Sequence, residues 1–207
     1  MTSPFSRPAD VLDPAIDVTV SNPRILIHYN LAAGETPENV AGLPNGDFIV
    51  TLALARQVVR ITPQGHQQIL ATLPAPADGG ADVPITHKAL TTGVLRTADG
   101  TIYIGYASGD DTLTGIWRIA PDQPPERVIA LPGDAFPNGM SIDKRSGALY
   151  IADSVHGAIW HASLADGKAK IWTAGDELKP IELSGPGFGI NGLKARDGAV
   201  TPAPRTQ

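Results

Sequence analysis

The sequence contains no cysteine, so neither a disulfide framework nor a thiolate metal site is available to it. Charge is sparse: Asp, Glu, Lys and Arg make up 18% of the chain, and the formal net charge is −5. The 16 basic residues do not gather into a patch, which argues against a nucleic-acid partner. No apolar run approaches the roughly 20 residues that span a bilayer, and the opening MTSPFSRPADVLDPAIDV lacks the apolar core of a secretory signal. A soluble, cytoplasmic protein with no membrane partner is therefore expected. A Gly-x-Ser-x-Gly elbow, a His-x-x-x-His pair and a glycine-rich phosphate loop are also missing, which removes support for the enzyme classes built on those motifs.

Helical periodicity does not persist anywhere, and 22 glycines and 19 prolines punctuate short segments of period two. That is an all-β composition with many turns. The stretch FPNGMSIDKRSGALYIADSVHGAIW, from Phe136 to Trp160, shows the pattern best. Met140–Ile142 alternates apolar and polar, Leu149–Ala152 is rich in residues that suit a half-buried pleated surface, and Ala158–His161 returns as a third strand. Polar turns separate them, and so they form an antiparallel meander. The meander recurs. Asn45-Gly46 and Asp99-Gly100 are strong hairpin signals, because both central positions tolerate positive φ. Asp197-Gly198 starts a further copy. Counted back from the turn glycines, Glu38, Thr92, Asn138 and Asn191 share one repeat position, about 50 residues apart, a period that predicts propeller blades of four strands each.

In chain order, residues 1–24 carry four prolines and are expected to be a loose arm, with residues 25–207 forming one incomplete propeller domain. Arg24–Tyr29 is predicted to be a leading strand. Gln68–Thr72, Arg127–Leu131 and Lys168–Trp172 are predicted to be the outer strands of the blades. The connection over 73–90 and the loop over 105–115 are long enough to suggest functional loops. After Gly198 another apolar strand is due. Ala199-Val200 begins it, and then Pro202 and Pro204 intervene, which cannot donate to a central ladder. The expectation is a partial β-propeller of three blades and the start of a fourth, in a truncated chain.

The pattern PNGMSID…GALYIADS…GAIW, with NGL before the next Asp-Gly, resembles the senescence marker protein/gluconolactonase family (regucalcin-like), whose propellers have six blades. The resemblance covers about residues 35–200. It implies a divalent cation at the top of the channel, calcium first and zinc or magnesium as alternatives. It also implies hydrolysis of a small lactone or ester. On that resemblance Glu38, Asn138 and Asn191 fall on metal-ligand positions. Pro-Glu-Asn stands where the family more often has Glu-Gly-Pro, and Asn191 where many members have Asp. Blade geometry points to the same place, since residues that begin innermost strands ring the channel mouth. Carboxylate and amide oxygens are also the donors that hard cations prefer. The bland alternative is that Asn138-Gly139 and Asn191-Gly192 are simply turn formers.

His87 and His156 sit in loops on the same face as Glu38 and Asn138, so either is a candidate general base or substrate contact. Both could equally be solvated loop residues, and Asp153 could serve to cap its loop. Trp117 and Trp160 hold equivalent third-strand positions and are expected between blades. His161 is expected on an outer face, and His28 and His66 have no constellation around them. Two functions follow: a metal-dependent hydrolase of the lactonase or esterase type, poorly active as the truncated chain, or a non-catalytic propeller that binds a ligand or protein. An unclosed ring would expose apolar positions such as Val40, Phe48, Ile49 and Leu193 and invite self-association through the open blade faces.

Overall fold

In the computed structural model, which describes residues 23–180, 187–196 and 199–202, strands follow one another as antiparallel meanders. The first sheet orders β1 (Pro37–Gly42), β2 (Phe48–Leu52), β3 (Gln57–Ile61) and β4 (Gln67–Thr72) side by side. The second repeats this with β5 (Leu90–Arg96), β6 (Ile102–Ala107), β7 (Gly115–Ile119) and β8 (Glu126–Ala130). The third uses β9 (Pro137–Ile142), β10 (Leu149–Asp153), β11 (Ala158–Ala162) and β12 (Ala169–Ala174). A two-stranded sheet of β13 (Leu193–Arg196) and β14 (Ala199–Pro202) comes last. These are the blades that the repeat predicted: three complete, and two strands of another.

Local chemistry sets each hairpin. Gly46 and Gly100 carry φ of +88° and +95° at the first turn of their blades, a conformation glycine adopts without a Cβ penalty. Asp47 and Asp99 then hold the turns, Asp47 through Asn45 and Arg60, Asp99 through Thr97 and Thr101. Alternation along the strands sends apolar side chains to both faces, and these interlock between blades. Ile49 and Val58 of the first blade pack with Ile104, Tyr106 and Trp117 of the second. Tyr103 and Ile116 of the second pack with Leu149 and Ile151 of the third. Tyr150 and Ile159 of the third meet Ile190, Leu193 and Val200. The strands that begin the blades, β1, β5, β9 and β13, lie beside one another in that order along the inner edge.

Three local expectations change. Arg24–Tyr29 forms no strand. Ile27 and Tyr29 instead lie against the free face of the first blade, over Val50, Leu52, Val59 and Ile61. A strand needs a ladder partner, and the exposed Ile25 (73% accessible) shows that apolar alternation alone does not provide one. Ile49 and Leu193 are buried between blades, whereas Val40 is exposed and Phe48 half-buried. Finally β14 runs on through Pro202, opposite Leu193. The ladder admits proline there because β14 is an edge strand in this sheet.

Candidate functional site

The start of each inner strand is tied to its neighbour by backbone carbonyls. Thr51 of β2 donates to the carbonyl of Thr92 at 2.7 Å, and Thr92 donates in turn to the carbonyl of Pro137 at 2.5 Å. Gly139 N–H donates to the carbonyl of Asn191 at 2.8 Å. The strands approach so closely that a Cβ on Gly139 would stand 2.6 Å from the Asn191 oxygen and 2.7 Å from the Gly192 Cα. Gly93 is pressed against the Asn138 carbonyl in the same way. Neither glycine has positive φ, and Asn138-Gly139 lies within β9. The Asn-Gly of the third blade is therefore not a turn former. Its glycine is a close-approach residue, and Thr92 is a buried tie between blades.

Asn138 is 4% exposed, and its amide has a defined orientation. Ser154 Oγ gives its one hydrogen to the Ile190 carbonyl at 2.6 Å, so it can only accept from Asn138, whose Nδ2 stands 3.0 Å away. Oδ1 is then the free atom, buried and without a hydrogen-bond partner. Buried acceptors are nearly always satisfied, and this one sits at the inner edge of the fan. Glu38 is exposed to solvent along β1, yet enough protein crowds its carboxyl for desolvation to raise its pKa. Asn191 is exposed just before β13. All three expected ligands thus stand at strand starts on one end of the fan. No cluster of three or more His, Asp or Glu suited to a metal occurs among the described residues, so oxygen donors from asparagine would have to contribute.

His156 belongs to the same end of the third blade. Its Nδ1 lies 2.9 Å from Oδ2 of the fully buried Asp153, and its Nε2 is 3.4 Å from Asp134. Burial alone would lower the histidine pKa, but the hydrogen bond and charge of Asp153, with Asp134, outweigh it and hold the pKa above the ordinary value. Asp153 also receives the backbone amides of Phe136, Val155 and His156 and the indole N–H of Trp160. It caps its loop, as expected of an aspartate there, and orients an imidazole as well. His87 is separate from this network. It is exposed, has φ of +49°, and sets Nδ1 3.1 Å from the Ala81 carbonyl. Trp117 is interblade core. His161 is half-buried with its ring edge-on to Tyr150. Ser154, which decides the Asn138 orientation, went unnoticed in the sequence. Its signal was a hydroxyl residue directly after the aspartate that ends β10.

Serial four-stranded meanders whose inner strands pack side by side define a β-propeller array. No protein-family model matches the sequence, and no curated protein matches it. Among solved structures, the chain is similar to a catalytically inactive virginiamycin B lyase from Staphylococcus aureus, with 20% identity and a TM-score of 0.57 over 81% of this chain and 48% of that one. A protein of unknown function from Bacteroides thetaiotaomicron gives 17% identity and a TM-score of 0.52 over 77% and 42%. A protein provisionally assigned as a gluconolactonase gives 19% identity and a TM-score of 0.49 over 77% and 53%. At these identities the likeness is one of fold. The chain spans about half the length of the structures it matches.

Proposed function

We propose that this chain carries the cation- and substrate-binding face of a metal-dependent hydrolase of the lactonase or esterase type, in line with the resemblance to the gluconolactonase family. The observation that carries the reading is Asn138 Oδ1, an oriented and buried acceptor left without a donor. An unsatisfied group of this kind costs about 1–3 kcal/mol, and a cation at the inner edge would recover that energy. Glu38 and Asn191 would complete the protein's share of the ligands. One carboxylate and two amide oxygens suit calcium, leaving positions for water and substrate. The desolvated carboxyl of Glu38 fits as well, since a neighbouring cation favours its ionised form.

The cation would polarise the carbonyl of the bound lactone or ester. The chain's residues would supply the remaining work. Asp153 accepts a hydrogen bond from the Nδ1–H of His156 and so fixes its tautomer, so that a neutral His156 would present Nε2 as the acceptor for a proton from water. His87 would be a substrate contact at the second blade. His156 is favoured as the base because it has an orienting carboxylate and His87 has none among the described residues. Calcium titration by calorimetry on the wild type, Glu38→Gln and Asn138→Ala tests the metal assignment, and equal affinity in all three would sink it. Hydrolysis of aldonolactones, abolished by chelator and restored by calcium, tests the chemistry. Calcium binding without turnover across a lactone and ester panel would instead favour a ligand-binding propeller.

A further inference from the structure

At the opposite end of the fan, where β1 turns into β2 and β5 into β6, a cleft of about 620 Å³ opens between the first two blades. Its volume falls within the range of small-molecule sites, roughly 300–1,000 Å³, and so does its construction from an apolar floor with a few convergent polar groups. Ile49, Ile102 and Ile119 line it, each less than 10% exposed and part of the interblade core. Gln68 and Gln123 supply amides, and Arg60 and Arg96 supply cations. The two arginines are not equivalent. Arg60 is committed to Asp47 at 2.5 Å. Arg96 makes no salt bridge or hydrogen bond among the described residues, and its guanidinium lies beside the Gly100 turn, where a Cβ would stand 3.5 Å from Nη2. A half-buried guanidinium without a partner, held over an apolar floor, is a receptor for a planar anion. Asp122, exposed on the rim, is the one carboxylate lining the cleft.

We propose that this cleft binds a small carboxylic acid with a compact apolar body, its carboxylate on Arg96 and its body on Ile49, Ile102 and Ile119. The site is separate from the inner-edge asparagines, and its occupancy does not require a metal. The probe is 1-naphthoate, titrated by calorimetry and followed by amide chemical shifts, with 1-naphthalenemethanol as the uncharged counterpart. Naphthoate should bind with one-to-one stoichiometry and perturb the turns around residues 43–47, 100 and 120–123. Arg96→Gln should weaken it by about tenfold or more, Arg96→Lys by much less, and the alcohol should be indifferent to either change. Asp122→Asn should tighten naphthoate binding by removing a like charge. Since Arg96 has no described partner to lose, melting temperatures of its variants should match the wild type. Absence of binding, equal naphthoate affinity in wild type and Arg96→Gln, or shifts confined to the opposite end would each overturn the assignment.

Discussion

Thr51 reaches from the first blade into the second: its hydroxyl donates to the carbonyl of Thr92 and accepts the backbone amide of Asn39. Both threonines are essentially inaccessible to water. Thr51→Val keeps the shape and removes the hydroxyl, leaving a buried carbonyl without its donor. We expect a loss of about 1–3 kcal/mol, read as a lower urea midpoint with an unchanged slope. Thr51→Ser should recover most of it. A Val variant as stable as the wild type would show that the tie is incidental.

The two glycines at inner-strand positions should respond differently from one in the open. Gly139→Ala drives a methyl into the Asn191 carbonyl, whereas nothing lies within 4 Å of a Cβ on Gly42. Overpacking against backbone should cost Gly139→Ala at least about 1–3 kcal/mol. Gly42→Ala should change little. Parallel thermal melts of the two variants decide the point, and equal effects would mean that the blades can separate without penalty.

His156 should make stability depend on pH in one direction. Its folded pKa lies above the usual 6.5, so protonation favours the folded state. The stabilisation is complete below the unfolded value and disappears as pH rises through the folded one. The stability gap between wild type and His156→Gln should therefore be widest in mild acid and narrow through neutrality. An NMR titration of the imidazole should give a midpoint above 6.5 that falls in Asp153→Asn. A midpoint unmoved by that change would remove Asp153 as the cause.

Calcium should raise the melting temperature of the wild type and leave Asn138→Ala unmoved. At one hundred times the dissociation constant, ligand binding to the folded state adds about 2.7 kcal/mol. Chelator should reverse the shift. An Asn138→Ala protein that responds as the wild type does would place the cation elsewhere.

The free face of the first blade, with Val40 60% exposed beside a groove formed by Leu26, Tyr29, Phe48 and Ile61, should promote association at high concentration. Sedimentation should show mass rising with concentration, less so for Val40→Thr. A concentration-independent monomer would show that Ile27 and Tyr29 cover the face well enough.

Much of this fold was legible because its signals are local. Asn45-Gly46 and Asp99-Gly100 mark turns by the φ they demand, and LYIAD marks a strand by its run of residues that suit a pleated surface. What depends on a neighbour was not legible. Arg24–Tyr29 has a strand's composition but lacks a ladder. Ile49 looked open to solvent because the sequence does not say which face meets the second blade. A turn-forming role for Asn138-Gly139 stayed open as the alternative, because the glycine's actual reason, the Asn191 carbonyl, lies in another blade. At the site, the residue types at strand starts could be read in advance. The orientation of Asn138 could not, since it depends on where Ser154 sends a single hydrogen.

The blades meet in two different ways, and this sets a wedge. Along the inner edge they are spaced by hydrogen bonds to backbone carbonyls, from the Thr51 and Thr92 hydroxyls and the Gly139 amide, whose length scarcely varies. Further out they are spaced by Tyr103, Trp117, Ile129 and Leu131, whose bulk can change by substitution. The angle between successive blades is then set by side-chain volume acting at a distance from a fixed pivot. How many blades would complete a circle is thus a property of the outer packing residues, and the ties at Thr51, Thr92 and Gly139 would serve rings of different size equally well.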